Sequence, residues 1–275
     1  MLCPTTNDSV VSLATAKCAT RAGIHPLPVP VMRHQPSLWR IHNRELEAST
    51  DIRAILAADE IQRARRIRDK THARDFAVSR AALRLILGEL TGREPASLSF
   101  VTNPFGKPYL ANPELPLGFN LSHASPWTLI AVIPGCSIGV DIEEYDFDLN
   151  PLETGSVVLT HQELLKLGSF HGPLRHRMFY RLWTAKEAVL KMLGAGFSMH
   201  PQQIDVLDAL YGDKQARVSL PDEHATATRY ELSPLNIADG YAAAVAVGSG
   251  FSKPASFREN MSETNPRLNN GQNPL

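Results

Sequence analysis

The sequence predicts an α+β fold: a pseudo-twofold pair of similar α/β lobes, with the active site in the cleft between them. Three observations lead there. Segments with helical spacing of apolar residues alternate with short runs of strand character. The chain also carries a faint internal repeat. Slid along itself until Gly88 falls on Gly194, it places Ala81–Gly88 on Glu187–Gly194 and Pro95–Phe100 on Pro201–Val206, so that helix, glycine stop, proline and strand recur in order. Finally, Gly139-Val140-Asp141-Ile142-Glu143 sets two acids two residues apart on a strand, where both side chains leave one face while Val140 and Ile142 enter the core.

Composition bounds the rest. The chain has 275 residues, 43% hydrophobic and 20% charged, enough for one large or two ordinary domains with a real core. Its formal net charge is zero, so no global field directs it to nucleic acid or a membrane. Cys3, Cys18 and Cys136 show no C-x-x-C spacing and predict no disulfide framework, hence a reducing, cytoplasmic setting. No apolar run approaches the ~20 residues of a spanning helix. Val10–Ala14 is too short for a secretory signal and lacks a basic flank. Residues 1–36 have one acid, Asp8, and contain His25-Pro26-Leu27-Pro28-Val29-Pro30, which resists helix and sheet. They are expected to be a flexible extension, although the composition also suits a transit segment. The Asn-, Pro- and Ser-rich residues 251–275 read as a disordered tail. The expected lobes are 37–138 and 139–250.

Within the lobes, Leu38–Ile41 reads as a first strand and Asp51–Leu90 as helical, with Gly88 and Gly92 at its end. Pro95–Phe100 reads as a strand, followed by a turn at Asn103–Pro108. Trp127–Ile133 and Cys136–Glu143 are expected to form an antiparallel pair. Residues 144–158 look irregular. Thr160-His161-Gln162-Glu163 matches a capping box. A long helix from Arg175 to Leu193 stops at Gly194. Residues 203–247 read as several strands.

Chemistry is sought where charge collects. Asp141 and Glu143 on one face repel unless a cation lies between them, and hard carboxylate oxygens suit Mg²⁺. An isolated D-x-E would be a solvated strand end. Six basic residues between Arg63 and Arg74 face Asp69 alone. They cannot share one helix face, so part of the run is solvated surface, while Arg63 and Arg74 with Arg66 or Lys70 make an anion pocket. Ser122 and His123 point to opposite faces of a strand and form no nucleophile–base dyad.

Three segments occur in a fixed order: Phe105-Gly106-Lys107-Pro108; Phe119-Asn120-Leu121-Ser122-His123 with Gly139–Glu143; and Trp183-Thr184-Ala185-Lys186-Glu187-Ala188-Val189-Leu190-Lys191. Together they resemble the 4′-phosphopantetheinyl transferases of the surfactin-synthetase-activating (Sfp-like) type, over about residues 38–248. The resemblance implies that family's fold and its reaction. The phosphopantetheinyl arm of coenzyme A would pass to a serine of an apo acyl or peptidyl carrier protein, releasing adenosine 3′,5′-bisphosphate. It implies Mg²⁺, with Mn²⁺ as a substitute, on Asp141, Glu143 and Glu187. Lys107, Lys186 and Lys191 would balance the diphosphate, His123 would contact the phosphates, and Pro108 and Ser122 would line the cofactor site. Arg74 would grip the 3′-phosphate, with Arg63 a second candidate. Glu163 would be the base that deprotonates the serine, a role its capping box contests; both readings stay open. Glu187 and Lys191 would complete the catalytic set. A monomer is expected, with neither nucleic acid nor membrane as partner.

The chain departs from the family pattern at Glu60, where relatives often carry a base near the adenine, and at Gly155–Leu159, which lacks the common aromatic and basic residues. Ile142 cannot ligate a metal. Two other functions use the same residues: a Mg²⁺-dependent nucleotide phosphohydrolase, with water as nucleophile, and a nucleic-acid binder built on the Arg63–Arg74 run, whose affinity would fall steeply with salt.

Overall fold

The computed structural model describes residues 21–30, 32–111, 116–194, 199–211, 215–218, 228–248 and 250. Strands β1 (Ile24–Pro26) and β2 (Ser37–His42) lead into helices α1 (Asn43–Ser49), α2 (Ile52–Ile55), α3 (Ala58–Arg66) and α4 (Lys70–Thr91). After a 3₁₀ turn at Pro95–Ser97 come β3 (Phe100–Thr102), β4 (Pro108–Leu110), β5 (Leu117–Ala124), β6 (Trp127–Pro134) and β7 (Ile138–Glu144). Then follow α5 (Pro151–Val158), α6 (His161–Gly168), α7 (Gly172–Leu193), a 3₁₀ turn at Pro201–Gln203, α8 (Leu207–Tyr211), β8 (Gln215–Val218), β9 (Thr228–Leu235) and β10 (Tyr241–Gly248).

Two four-stranded sheets, ordered β1-β2-β6-β5 and β7-β10-β9-β8, are antiparallel throughout. Period-2 alternation of side chains gives each sheet two apolar faces. Ile130 and Val132 of β6 pack with Val78, Ala82 and Ile86 of α4, while Leu129, Ala131 and Ile133 turn to the other sheet. Likewise Ala243, Val245 and Val247 of β10 face the first sheet, and Ala242, Ala244 and Ala246 face α7. The layers therefore run α4, sheet, sheet, α7. Small alanines on β10 let α7 lie close to its sheet.

α4 and α7 are each 22 residues long, and each ends on a left-handed glycine, Gly92 (φ 66°) and Gly194 (φ 68°). A proline-led 3₁₀ turn follows each. The repeat expected from the sequence thus recurs as elements, but α4 runs one turn beyond Gly88, so Gly92, not Gly88, is the counterpart of Gly194.

Several local expectations change. The single helix over 51–90 breaks twice. Leu56 and Ile67 adopt extended backbone; the chain restarts after the first at Ala57, whose N donates to Glu60 Oε2, and after the second at Asp69, an N-cap that accepts from His72 N. Pro95–Phe100 begins as a 3₁₀ turn. Residues 144–158 contain α5, announced by Asn150 as N-cap and Pro151 at N1. Helix α8 precedes the strands expected over 203–247. The first sheet reaches into the segment assigned to an extension, because Ile24 pairs with Ile41 and is fully buried. Pro26 is tolerated there because β1 is an edge strand. Cys136 is disulfide-bonded, against the expectation of free thiols, while Cys3 and Cys18 lie outside the described residues, as does the tail expected over 251–275.

The largest change is that β6 and β7 do not pair. β6 lies between β2 and β5, and β7 pairs with β10. The chain changes sheets at Gly135, which adopts a positive φ of 68°. β7 then runs beside β5 across a seam closed by side chains: Asn120 Oδ1 accepts from Val140 N at 2.9 Å. Backbones come very near on both sides of β7. A Cβ on Gly139 would lie 2.0 Å from Ala188 O of α7, and one on Gly118 would lie 2.0 Å from Cys136 O. Gly139→Ala is therefore expected to push α7 off its sheet and cost about 3 kcal/mol or more in urea unfolding. Gly92→Ala, which meets nothing within 4 Å and strains only φ, should cost nearer ~1 kcal/mol.

Candidate active site

The β7 acids face α7, since Asp141 sits opposite Ala244 and Glu143 opposite Ala242, both on the α7 side of β10. Trp183, Glu187 and Lys191, spaced by four on α7, share the face turned toward them. Asp141 is 2% exposed, and its Oδ1 accepts from Lys191 Nζ at 2.6 Å and from Ser122 Oγ at 2.9 Å across the seam. Lys191 Nζ also donates to Ser122 Oγ at 2.9 Å. Asp141 Oδ2 is buried with no hydrogen-bond partner. Burial holds the Asp141 carboxyl above its ordinary range, against the pull of Lys191 and Ser122.

The neighbouring acids feel that charge. Burial, then Asp141, pushes Glu143 up to about 7, opposed by a bond from Trp183 Nε1 to Glu143 Oε1 at 3.4 Å. Burial and then Asp141 also raise Glu187, with Lys191 opposing. The three acids thus form one electrostatic cluster, short of positive charge despite Lys191. Among the described residues no three of His, Cys, Asp and Glu stand in a metal-holding arrangement. The donor set nevertheless fits a hard divalent cation: carboxylate oxygens, one of them buried and unbonded, in a field that favours added positive charge.

A family model described as the 4′-phosphopantetheinyl transferase superfamily matches residues 137–246, which contain all three acids. Among curated proteins, the 4′-phosphopantetheinyl transferase HetI of Nostoc is 34% identical over 231 residues, spanning 82% of this chain and 92% of the relative. The chain belongs to the 4′-phosphopantetheinyl transferase superfamily. The transferase Sfp of Bacillus subtilis is 27% identical over 186 residues, covering 66% of this chain and 79% of Sfp.

In this family member the other expected site residues are placed unevenly. Ser122 lies at the acids, buried, while His123 turns outward on the opposite face of β5. Its imidazole is drawn below the ordinary value by partial burial, opposed by Asp75, with Lys191 and His72 lowering it further. Arg74 instead pairs with Glu47 at 2.6 Å, and Arg63 lies 5.1 Å over the Phe76 ring. The basic run is split between the end of α3 and the start of α4. Glu60, the departure from the family pattern, is buried and holds Arg80 and Arg84, each at 2.6 Å.

Three expected site residues are committed to contacts within the fold. Glu163 is fully buried and its carboxylate accepts three bonds: Oε2 takes Thr160 N at 2.8 Å and Lys186 Nζ at 2.6 Å, and Oε1 takes Val206 N at 2.9 Å. These are the contacts of the capping reading, made by a carboxylate with no exposed surface. Lys186, one residue from Glu187 but on another helix face, is likewise fully buried, giving its remaining donors to Pro201 O at 2.9 Å and to Ile204 O. It ties α7 to α6 and the 201–206 segment.

Lys107 is committed in the same way. Its three donors go to Lys191 O at 2.7 Å, Met192 O at 2.9 Å and Ile138 O at 3.1 Å, capping the C-terminus of α7. Asn103 Nδ2 adds a bond to Gly194 O at 2.8 Å. The β3–β4 loop, where Pro108 opens β4 half-buried, is thus a clasp from the first half onto the helix that carries Glu187 and Lys191. Burial lowers Lys107 to about 7.

Sequence reasoning missed Asn120, Trp183 and Asn103 as positioning residues. The signals were present: Asn120 and Ser122 are polar residues alternating on a buried strand face, and Trp183 stands four residues before Glu187.

Glu163→Ala should cost about 3–5 kcal/mol in denaturant unfolding, because it strands Lys186 without a partner in the core. Any folded fraction should keep its turnover number. Lys107→Met should cost about 1–3 kcal/mol through unsatisfied carbonyls, with the Michaelis constant for coenzyme A unchanged. A large rise in that constant without loss of stability would restore Lys107 to the phosphates.

Proposed function

We propose that the chain transfers the 4′-phosphopantetheinyl arm of coenzyme A to a serine of an apo carrier protein. The observation that carries this is the crowded, under-neutralised set of Asp141, Glu143 and Glu187, in a chain whose family membership is shown. In the transfer the serine oxygen forms a bond to the phosphorus that bears the pantetheine. The bond from that phosphorus to the bridging oxygen breaks, and adenosine 3′,5′-bisphosphate leaves with the electron pair. With Glu163 buried in its own contacts, the serine proton would pass to Glu143 or Glu187, on a carboxylate oxygen not shared with the cation.

Asp141, Glu143 and Glu187 would hold Mg²⁺ or Mn²⁺, which supplies charge stabilisation for the departing phosphate. Lys191 and Ser122 then serve the substrate side. Once Asp141 is shared with a cation, the Lys191 ammonium, 31% exposed, is free to turn to a phosphate oxygen. His123, with His72 beside it, offers a second anion contact. The two sheet-and-helix halves, which the repeat of α4 and α7 relates as a pseudo-twofold pair divided near residue 138, would place the coenzyme in the cleft at the β5–β7 seam. Such an internal pair needs no second copy, so the working unit is a monomer. No helix among the described residues is long and apolar enough to cross a membrane.

Intact-mass analysis of apo-carriers incubated with coenzyme A and Mg²⁺ tests the reading. A gain of one phosphopantetheinyl group is expected, and it should disappear when the metal is chelated. A chain that instead hydrolyses the nucleotide and leaves every carrier unmodified is a phosphohydrolase. Asp141→Asn and Glu187→Gln should each lower transfer by roughly 100-fold or more, with the unfolding midpoint moved by only a few degrees. Near-normal turnover in either variant would remove these acids from the metal site.

A further inference from the structure

A cavity of about 300 Å³ lies between the N-terminal half of α7 and the ends of β9 and β10. One wall is apolar, from Leu174, Met178 and Leu235, and the other is cationic, from Arg177 and Arg181. Among the described residues neither guanidinium pairs with a carboxylate. Arg181 Nε is buried with no hydrogen-bond partner. The Arg181 guanidinium lies 5.3 Å from the Tyr211 ring centroid, a contact that uses its face and spends none of its N–H donors. Both arginines also act on Tyr145, another lining residue: burial raises its phenol, and Arg177 and Arg181 oppose the rise. Two donor-rich cations therefore face one small, partly apolar space.

The distance from the acids matches the reach of the coenzyme's arm. The cavity opens beside them, since Ala242, which lines it, is the cross-strand partner of Glu143. Arg181 and Arg177 precede Glu187 by six and ten residues on α7. At ~1.5 Å per residue they stand about 9 and 15 Å back along the helix. Pantetheine carries two amides between phosphate and thiol and extends to about 15 Å, the reach of roughly four extended residues. With the diphosphate at the acids, the sulfur end of the arm falls at the cavity. Leu174 and Met178 suit its methylenes, but an uncharged thiol leaves both guanidiniums unanswered. A carboxylate one acyl group beyond the sulfur answers them, in the bidentate geometry that arginine favours.

Resting on the transferase reading above, we propose that this cavity selects among S-acylated forms of coenzyme A. It favours an acyl group that ends in a carboxylate, the monothioester of a short dicarboxylic acid, which the chain passes to the carrier intact. The thioester takes no part in the bond changes. The serine oxygen bonds to phosphorus, and adenosine 3′,5′-bisphosphate leaves with the electron pair of the broken P–O bond. The serine proton goes to a carboxylate of the site, and the carrier gains the whole carboxyacyl-phosphopantetheinyl group. Arg177 and Arg181 decide which coenzyme is preferred, at a distance from the phosphorus that reacts.

Initial rates with coenzyme A, malonyl-coenzyme A and propionyl-coenzyme A, read by intact mass across a range of apo-carrier concentrations, decide this. The malonyl and propionyl groups have the same number of carbons and differ chiefly in the carboxylate. The kcat/KM for the malonyl form should exceed that for the propionyl form roughly tenfold or more. Arg177→Met/Arg181→Met should bring that ratio close to one. Arg177→Glu alone, at an exposed position, should invert it. Arg53→Met/Arg93→Met removes the same charge elsewhere on the surface and should leave the ratio as in the wild type. Equal constants for the two thioesters in the wild-type chain overturn the proposal. So does a double variant that raises the Michaelis constant for the carrier alike with every coenzyme, since the guanidiniums then serve the macromolecular substrate. A chain that modifies no carrier with any coenzyme, unacylated coenzyme A included, fails the transferase reading itself. Normal transfer from coenzyme A with no preference between the thioesters fails this inference alone.

Discussion

The site depends on a contact that bridges two sheets: Asp141 of β7, held by Ser122 of β5 and Lys191 of α7. Placing a carboxylate there is costly, because it is almost wholly buried and stands beside two more acids. Lys191 offsets part of this, and the raised carboxyls of Glu143 and Glu187 show that it does not offset all. The arrangement amounts to a standing demand for positive charge. A divalent ion with a diphosphate would meet it.

The remainder of the second half keeps that cluster in register. Gly139 lets α7 approach β7 until helix and strand backbones touch, which sets the distance from Glu187 and Lys191 to Asp141. The buried Lys186–Glu163 pair fixes the same helix from its other side, binding α6 and the 201–206 segment to it. Lys107 and Asn103 fasten its C-terminal end from the first half of the chain. Three residues that sequence motifs associate with chemistry or cofactor, Glu163, Lys186 and Lys107, therefore act by position. Each is committed to backbone carbonyls or amides that would otherwise be unsatisfied, a use of charge that a linear motif cannot distinguish from substrate binding.

What was legible in the sequence was mostly local. The capping box at Thr160–Glu163, the glycine stop at Gly194 and the two acids on one strand face were readable because each depends on spacing of a few residues. The internal repeat was readable too, though its register sets Gly88 against Gly194 where the helix ends supply Gly92. Strand partners were not readable. Trp127–Ile133 and Cys136–Glu143 look like a hairpin, but the positive φ at Gly135 carries the chain into the other sheet, and only tertiary packing shows this. The helix breaks at Leu56 and Ile67 were hidden by apolar residues that continue the helical period, while Glu60 and Asp69 marked the restarts. For the site, the three acids with Ser122 and Lys191 could be named together, whereas Arg63 and Arg74 could not be separated from their surface partners, Phe76 and Glu47. Long-range ion pairs leave no trace in spacing.

The central claim is that Asp141 and Glu187 share one divalent ion at the β5–β7 seam, beside the diphosphate of the coenzyme. Anomalous diffraction from crystals grown with Mn²⁺ and coenzyme A measures it directly. The account predicts a single strong peak within ligand distance of both carboxylates, with Lys191 turned from Asp141 toward phosphate. A peak elsewhere, or ordered coenzyme with Lys191 still on Asp141 and no ion between the acids, would contradict it.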